Sequence, residues 1–242
     1  MDQDLLEEYI QTGNSAELDA LLKANPKLAE IKTSHQVSPL MLCCYYKQSE
    51  LSEIILRHVE RITFFEAAAL GKKDIVEEAL RENPDLVHNF SDDGFAALGL
   101  AAYFGKEDMV RLLLLKGADP NVSSRNGFNV YPIHSAVAAN YDMISKMLLE
   151  AGAEVNVVQQ SGATPLHSAA HNGNIDLLIV LLEAGANVNA ITEDGKTAAD
   201  KAYEKGFVEI GKILSSKVQN PCPLPFYIMP DVENQCCANI KY

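Results

Sequence analysis

Gly162-Ala-Thr-Pro-Leu-His-Ser-Ala-Ala170 and Gly195-Lys-Thr-Ala-Ala-Asp-Lys-Ala-Tyr203 are two versions of one phrase, and their leading glycines stand 33 residues apart. The same interval separates Pro132-Ile-His134 from Pro165-Leu-His167, and amphipathic runs between the phrases close on Gly117-Ala118, Gly152-Ala153 and Gly185-Ala186. A fixed period of this length marks an array in which one helical unit recurs and buries its apolar face only against its neighbours. Weaker copies extend the array toward the N-terminus: Gly94-Phe-Ala-Ala-Leu-Gly-Leu-Ala-Ala102, Ile62-Thr-Phe-Phe-Glu-Ala-Ala-Ala69, Ser38-Pro-Leu-Met-Leu-Cys-Cys44, and one further helix pair from Asp4 to Leu22.

Each slot of the phrase has a physical reason. Thr164 is placed to cap a helix through its hydroxyl, and Pro165 suits a first turn, where its missing N–H would have had no partner. Leu166 begins the buried stripe. Ala169 and Ala170 keep the helix thin enough for the next unit to stack closely. Gly173 serves the turn between helices, and Gly185 ends the second helix.

The period, Thr-Pro-Leu-His and the ending Gly-Ala-x-x-Asn together resemble the ankyrin repeat. That resemblance implies an all-α solenoid of about seven stacked helix-turn-helix units joined by β-hairpin fingers, over residues 1–217. The units fall near 1–33, 34–61, 62–91, 92–125, 126–158, 159–191 and 192–217, and residues 218–242 form a non-repeat tail. Asn25-Pro-Lys-Leu28 and Asn83-Pro-Asp-Leu86 replace the usual ending, which leaves the early hairpins open. The second unit runs from Ile55 through His58 to Ile62 with no room for a finger, whereas Gly117 and Gly152 stand 35 residues apart, which implies two extra residues in the finger around Ser124 to Val130.

Composition narrows the function. The chain has 242 residues, 48% of them hydrophobic, and 20 Lys+Arg against 33 Asp+Glu give a net charge of −13. Spread along the sequence, that charge opposes binding to phosphate backbones, so nucleic acid is not an expected partner; a basic protein patch would be steered toward this surface. No stretch has the length and apolarity of a membrane span and the start has no secretory pattern, so no membrane association and a cytoplasmic location are expected. Asp2, Asp4, Glu7 and Glu8 are expected to form a polar cap on the first unit.

No cofactor, metal or catalytic constellation is expected. His134 and His167 recur at one slot; the resemblance implies hydrogen bonds along the stack, and the neighbouring units hold Gly99 and Asp200 there. Cys43 and Cys44 take the slots of Ala169 and Ala170, which predicts packed, unreactive thiols. Cys222, Cys236 and Cys237 lack the spacing of a zinc site, and phosphate loops and nucleophile elbows are absent from the sequence.

Binding in such a solenoid belongs to the concave side, where hairpin tips and exposed ends of first helices are not needed for stacking. Register then names Tyr45, Tyr46, Leu70, Tyr103, Phe104, His171 and Asn172 along the first helices, with an aromatic first half and a polar second half. At the fingertips it names Asp92, Asp93 and Phe95, then Arg125, Asn126, Phe128 and Asn129, then Gln160 and Ser161, then Glu193 and Asp194. Phe128, on the lengthened finger, is the expected projecting contact. The expected activity is that of an adaptor or inhibitor holding a protein or peptide partner, not an enzyme. The alternative is a self-assembling module in which the tail or groove contacts its own solenoid or another copy. From Ser215 the composition changes: Pro221, Pro223, Pro225 and Pro230 break helices, and Leu224-Pro-Phe-Tyr-Ile-Met229 is densely apolar.

Overall fold

A computed structural model describes residues 2–219. Fourteen α-helices lie among them, as seven antiparallel pairs: α1 Asp2–Thr12 with α2 Ser15–Ala24, α3 Pro39–Tyr45 with α4 Ser49–Leu56, α5 Phe64–Leu70 with α6 Lys73–Glu82, α7 Ala97–Tyr103 with α8 Glu107–Leu115, α9 Pro132–Ala138 with α10 Asp142–Glu150, α11 Pro165–Asn172 with α12 Ile175–Glu183, and α13 Ala198–Glu204 with α14 Val208–Gln219. The last helix passes through Ser215, beyond the change in composition. The tail readings, Cys222, Cys236 and Cys237 included, lie outside the described residues.

Short first helices follow from small residues. Ala67, Ala68, Ala101, Ala102, Ala169 and Ala170 are buried at or near zero exposure, so adjacent first helices approach closely, while longer side chains such as Val110, Leu113, Ile144, Leu148, Leu177 and Leu181 fill the layer between second helices. Two apolar clusters result. One spans the units from Phe64 to Leu214, and the other joins Leu6 through Ile55 to Ala69 and Leu100.

Five fingers close among the described residues, through N–H to carbonyl bonds from Thr33 to Val37 (2.8 Å), Ser91 to Phe95 (2.9 Å), Ser124 to Val130 (2.9 Å), Gln159 to Ala163 (3.1 Å) and Thr192 to Lys196 (2.9 Å). The Asn-Pro endings do not prevent hairpins. Pro26–Glu30 and Pro84–His88 form 3-10 turns, to which proline at the first position is suited, and these hand the chain to the next finger. The finger from Ser124 closes over two more residues than the others. Between α4 and α5 the chain passes with no finger.

Two sequence expectations change in detail. Thr164 does not cap α11 through its hydroxyl; that group bonds to His167 Nδ1 at 2.9 Å, and the same nitrogen accepts the Thr164 N–H at 3.1 Å. Glu7 is no exposed cap but is buried, where its carboxylate accepts from the Ser34 N–H (2.7 Å) and hydroxyl and ties α1 to the first finger. A carboxylate this far from water is retained because those donors replace its hydration.

Candidate protein-interaction groove

The sixth position of the phrase explains both the stack and its interruption. In α5 it is Glu66, in α9 His134, in α11 His167 and in α13 Asp200, and each accepts the backbone N–H of its own N-cap residue, at 2.6, 3.3, 3.1 and 2.9 Å respectively. Only imidazole can also donate. Nε2 of His134 meets Ala163 O and Nε2 of His167 meets Lys196 O, both at 3.2 Å, so each histidine bridges its helix to the finger of the following unit. Both rings must then carry the proton on Nε2 and stay neutral. Burial pushes His134 down to about 4 and lowers His167 as well.

Neighbouring fingers are laced by the N–H of Arg125 to Gly94 O (2.7 Å), of Gln160 to Phe128 O (2.9 Å) and of Glu193 to Ser161 O (3.0 Å). The stretch between α4 and α5 contributes no finger, so the loop before α3 and α3 itself meet the Ser91–Phe95 finger across the gap. Lys32 pairs with Asp92 at 2.8 Å, and the Tyr45 hydroxyl donates to Asp93. Beside this gap lie three adjoining depressions. The first, about 480 Å³, runs from Val37 and Tyr46 to Phe128; the second, about 290 Å³, lies over Gly99; the third, about 410 Å³, lies between Phe128 and Glu193. Tyr45 and Phe95 are shared by the first two, Val130 and Gln159 by the last two, and Phe128 by the first and third.

The aromatic residues divide into two roles. Tyr46 and Tyr103 are 42% and 40% exposed, and Phe128 is 58% exposed. Tyr45 and Phe104 are only half exposed and act as packing: the Tyr45 ring lies 5.4 Å from Phe104 and 6.3 Å from Tyr103, and Tyr103 meets Phe104 edge-on at 5.1 Å. Burial, then the neighbouring Asp93, pushes the Tyr45 hydroxyl far above its usual range, which keeps it a donor. Leu70 and Phe95 are half-buried against the N-terminal cluster.

Several fingertip residues turn out to serve the fold, because short polar side chains beside a turn find backbone partners before they reach solvent. Asp93 also accepts from Ser91. Asn126 accepts from Ser124 and the Phe128 N–H and donates to Asp93 O. Asn172 donates to Val137 O, Ala138 O and Asn140, and so ties α11 to the end of α9. Asp194 is bound by Thr192, Lys201 and Lys196; the Thr192 hydroxyl, then Lys201, hold its carboxyl down at about 2. Arg125 lies over the Phe90 ring at 3.9 Å. Asp92, Asn129, Gln160, Ser161, His171 and Glu193 are exposed, and Asn129 holds φ +52 at the bend of the long finger.

Sequence reading missed Val37, Val130 and Gln159, which line the depressions from the bases of the fingers and not from their tips. The absent finger was the available signal, since it uncovers the sides of its neighbours. Cys43 and Cys44 line another depression, together with Gln48 and Lys106. Burial pushes their thiols up to about 12 and about 11, the reverse of what a nucleophile needs. Among the described residues no helix is long and apolar enough to cross a membrane.

A family model described as ankyrin repeats, in three copies, matches residues 60–124 and 133–222. The chain belongs to the ankyrin-repeat family. An ankyrin repeat-containing protein of Schizosaccharomyces pombe is 39% identical over 66 residues, which cover 27% of this chain and 31% of that protein. The human BCL-6 corepressor-like protein 1 is 34% identical over 98 residues, 40% of this chain and 5% of its own length. The human DNA-binding protein RFXANK is 34% identical over 67 residues, 28% and 26% respectively. The chain thus spans a third or less of these relatives. Ankyrin repeats in general are non-enzymatic modules for protein–protein interaction.

Proposed function

We propose that this ankyrin-repeat protein is a cytoplasmic adaptor or inhibitor that holds a protein or peptide partner in the concave groove between its fingers and first helices. The observation that carries this reading is the run of three adjoining depressions beside the missing finger, edged by exposed Tyr46, Tyr103 and Phe128. Large aromatic side chains on a rigid frame lose little entropy on binding and are the residue types that dominate interface energies. The frame is already laced finger to finger, so little ordering is left for the partner to impose.

The test is capture of partners on the immobilised chain, with the affinity of each then measured on purified proteins. The comparison is with a variant carrying Tyr46→Ser, Tyr103→Ser and Phe128→Ser, which leaves every buried residue in place. Loss of about 30-fold or more in affinity is expected, corresponding to about 2 kcal/mol, the scale of one interface hot spot. A partner held equally by both chains would move the site off this groove, and concentration-dependent self-association sensitive to the same changes would favour a self-assembling module.

A further inference from the structure

Gly99 occupies the slot that His134 and His167 fill in the next two units, and three observations there point to a ligand side chain. It is buried in the middle of α7, yet a Cβ built on it would meet nothing within 4 Å. Glycine inside a helix is less favourable than alanine, so neither helix formation nor packing accounts for it. Gly99 opens onto the 290 Å³ cavity.

The chemistry of that cavity follows from what the missing histidine would have done. In the two later units the imidazole donates to the carbonyl just before the next N-cap, that of Ala163 or Lys196. The corresponding carbonyl for Gly99 is that of Val130, which lines the same cavity and accepts from the Ser124 N–H, leaving its second lone pair for another donor. Tyr45, Phe95 and Tyr103 supply ring surfaces around it. Among residues lining the three depressions, the side chains charged at neutral pH are the carboxylates of Asp93 and Glu193, with no lysine or arginine. Aromatic walls and a carbonyl acceptor, with Asp93 and Glu193 in the depressions on either side, together select a cationic, planar donor.

We propose that the Gly99 cavity receives an arginine side chain from the partner protein, its guanidinium donating to the Val130 carbonyl against the rings of Tyr45 and Tyr103. The proposal rests on the groove reading above and adds the partner's chemistry: a segment presenting arginine beside apolar residues, steered by a chain of net charge −13. Arginine suits the site better than lysine because its flat, weakly hydrated head can stack and donate at once.

A phage-displayed random peptide library selected on the full chain supplies the probes. Peptides that lose binding to the Tyr46/Tyr103/Phe128 variant define groove binders, and these are measured by fluorescence anisotropy. Expected are an arginine shared among them, at least about tenfold weaker binding when it becomes alanine or lysine, and a similar loss on Gly99→Leu, which fills the cavity. Gly99→Ala serves as the folding control and is expected to raise the thermal midpoint. Groove binders without arginine, or indifferent to Gly99→Leu, would overturn the arginine pocket and leave the groove standing. Absence of any groove binder would count against both. A Gly99→Ala chain that unfolds would give the glycine a structural role and remove the argument.

Discussion

One slot, the sixth of the phrase, is filled by Glu66, Gly99, His134, His167 and Asp200 in successive units, and the difference between them is donor capacity. A carboxylate only accepts: Asp200 closes its own helix, and Glu66 does so while also taking the Ser38 hydroxyl at the start of α3. Neutral imidazole accepts at Nδ1 and donates at Nε2, and so joins two units. The histidine bridge makes stability depend on pH in a defined direction. His134 is held down at about 4 by burial, against an unfolded value of 6.5. Between those two values the unfolded chain binds a proton that the folded chain refuses, so stability is full above about pH 6.5 and falls as pH drops toward 4, by on the order of 3 kcal/mol. Urea unfolding of His134→Gln across pH 4.5 to 7.5 is expected to show a shallower slope than the parent, with about 1–3 kcal/mol lost at neutral pH. An imidazole that titrates near 6.5 by NMR in the folded chain would contradict the burial argument.

At the level of elements, the turn between paired helices does more than reverse the chain. Gly173 closes α11 at φ +69, and a Cβ there would lie 2.5 Å from the Phe207 ring, which packs over the turn from the start of α14. Gly185, at φ +87 after α12, has nothing within 4 Å of such a Cβ. Both positions strain a non-glycine residue by about 1 kcal/mol, but only the first must also displace a ring. Gly173→Ala is therefore expected to cost about 2 kcal/mol or more and Gly185→Ala about 1 kcal/mol. In a Phe207→Ala background the two costs should converge. Equal costs in the parent would mean that the ring swings aside freely. Tyr141, half-buried, covers Gly105 in the same way, so aromatics at these positions are clamps between units and not spare binding surface.

Across the whole molecule, the absent finger divides the solenoid. The apolar clusters separate near the same place: residues of α1 to α4 form one with Ala69 and Leu100, and the units from Phe64 onward form the other. A repeat array unfolds where the interface between neighbours is weakest. Hydrogen exchange is accordingly expected to show earlier loss of protection in α1–α4 than in α7–α12, with a denaturant intermediate that keeps the later units. One cooperative transition with uniform protection would show that the Lys32–Asp92 and Tyr45–Asp93 links make up for the missing finger.

The sequence alone determined the repeat, its period, the seven helix pairs, the missing finger and the lengthened one, because each depends on local chemistry: a proline at a first turn, small residues where helices touch, glycine at a reversal. Register also placed aromatic residues at the ends of α3 and α7. What register could not decide was which of those aromatics are free. Tyr45 and Tyr46 are neighbours in sequence, yet one is turned into a hydrogen bond with Asp93 and the other faces outward, and that choice depends on a finger 48 residues away. The cavity over Gly99 likewise exists only between units, where the absence of one side chain coincides with the Val130 carbonyl of the next unit and the Tyr45 ring of an earlier one. Local pattern fixes which elements form; the contacts between units fix which side chains remain available to a partner.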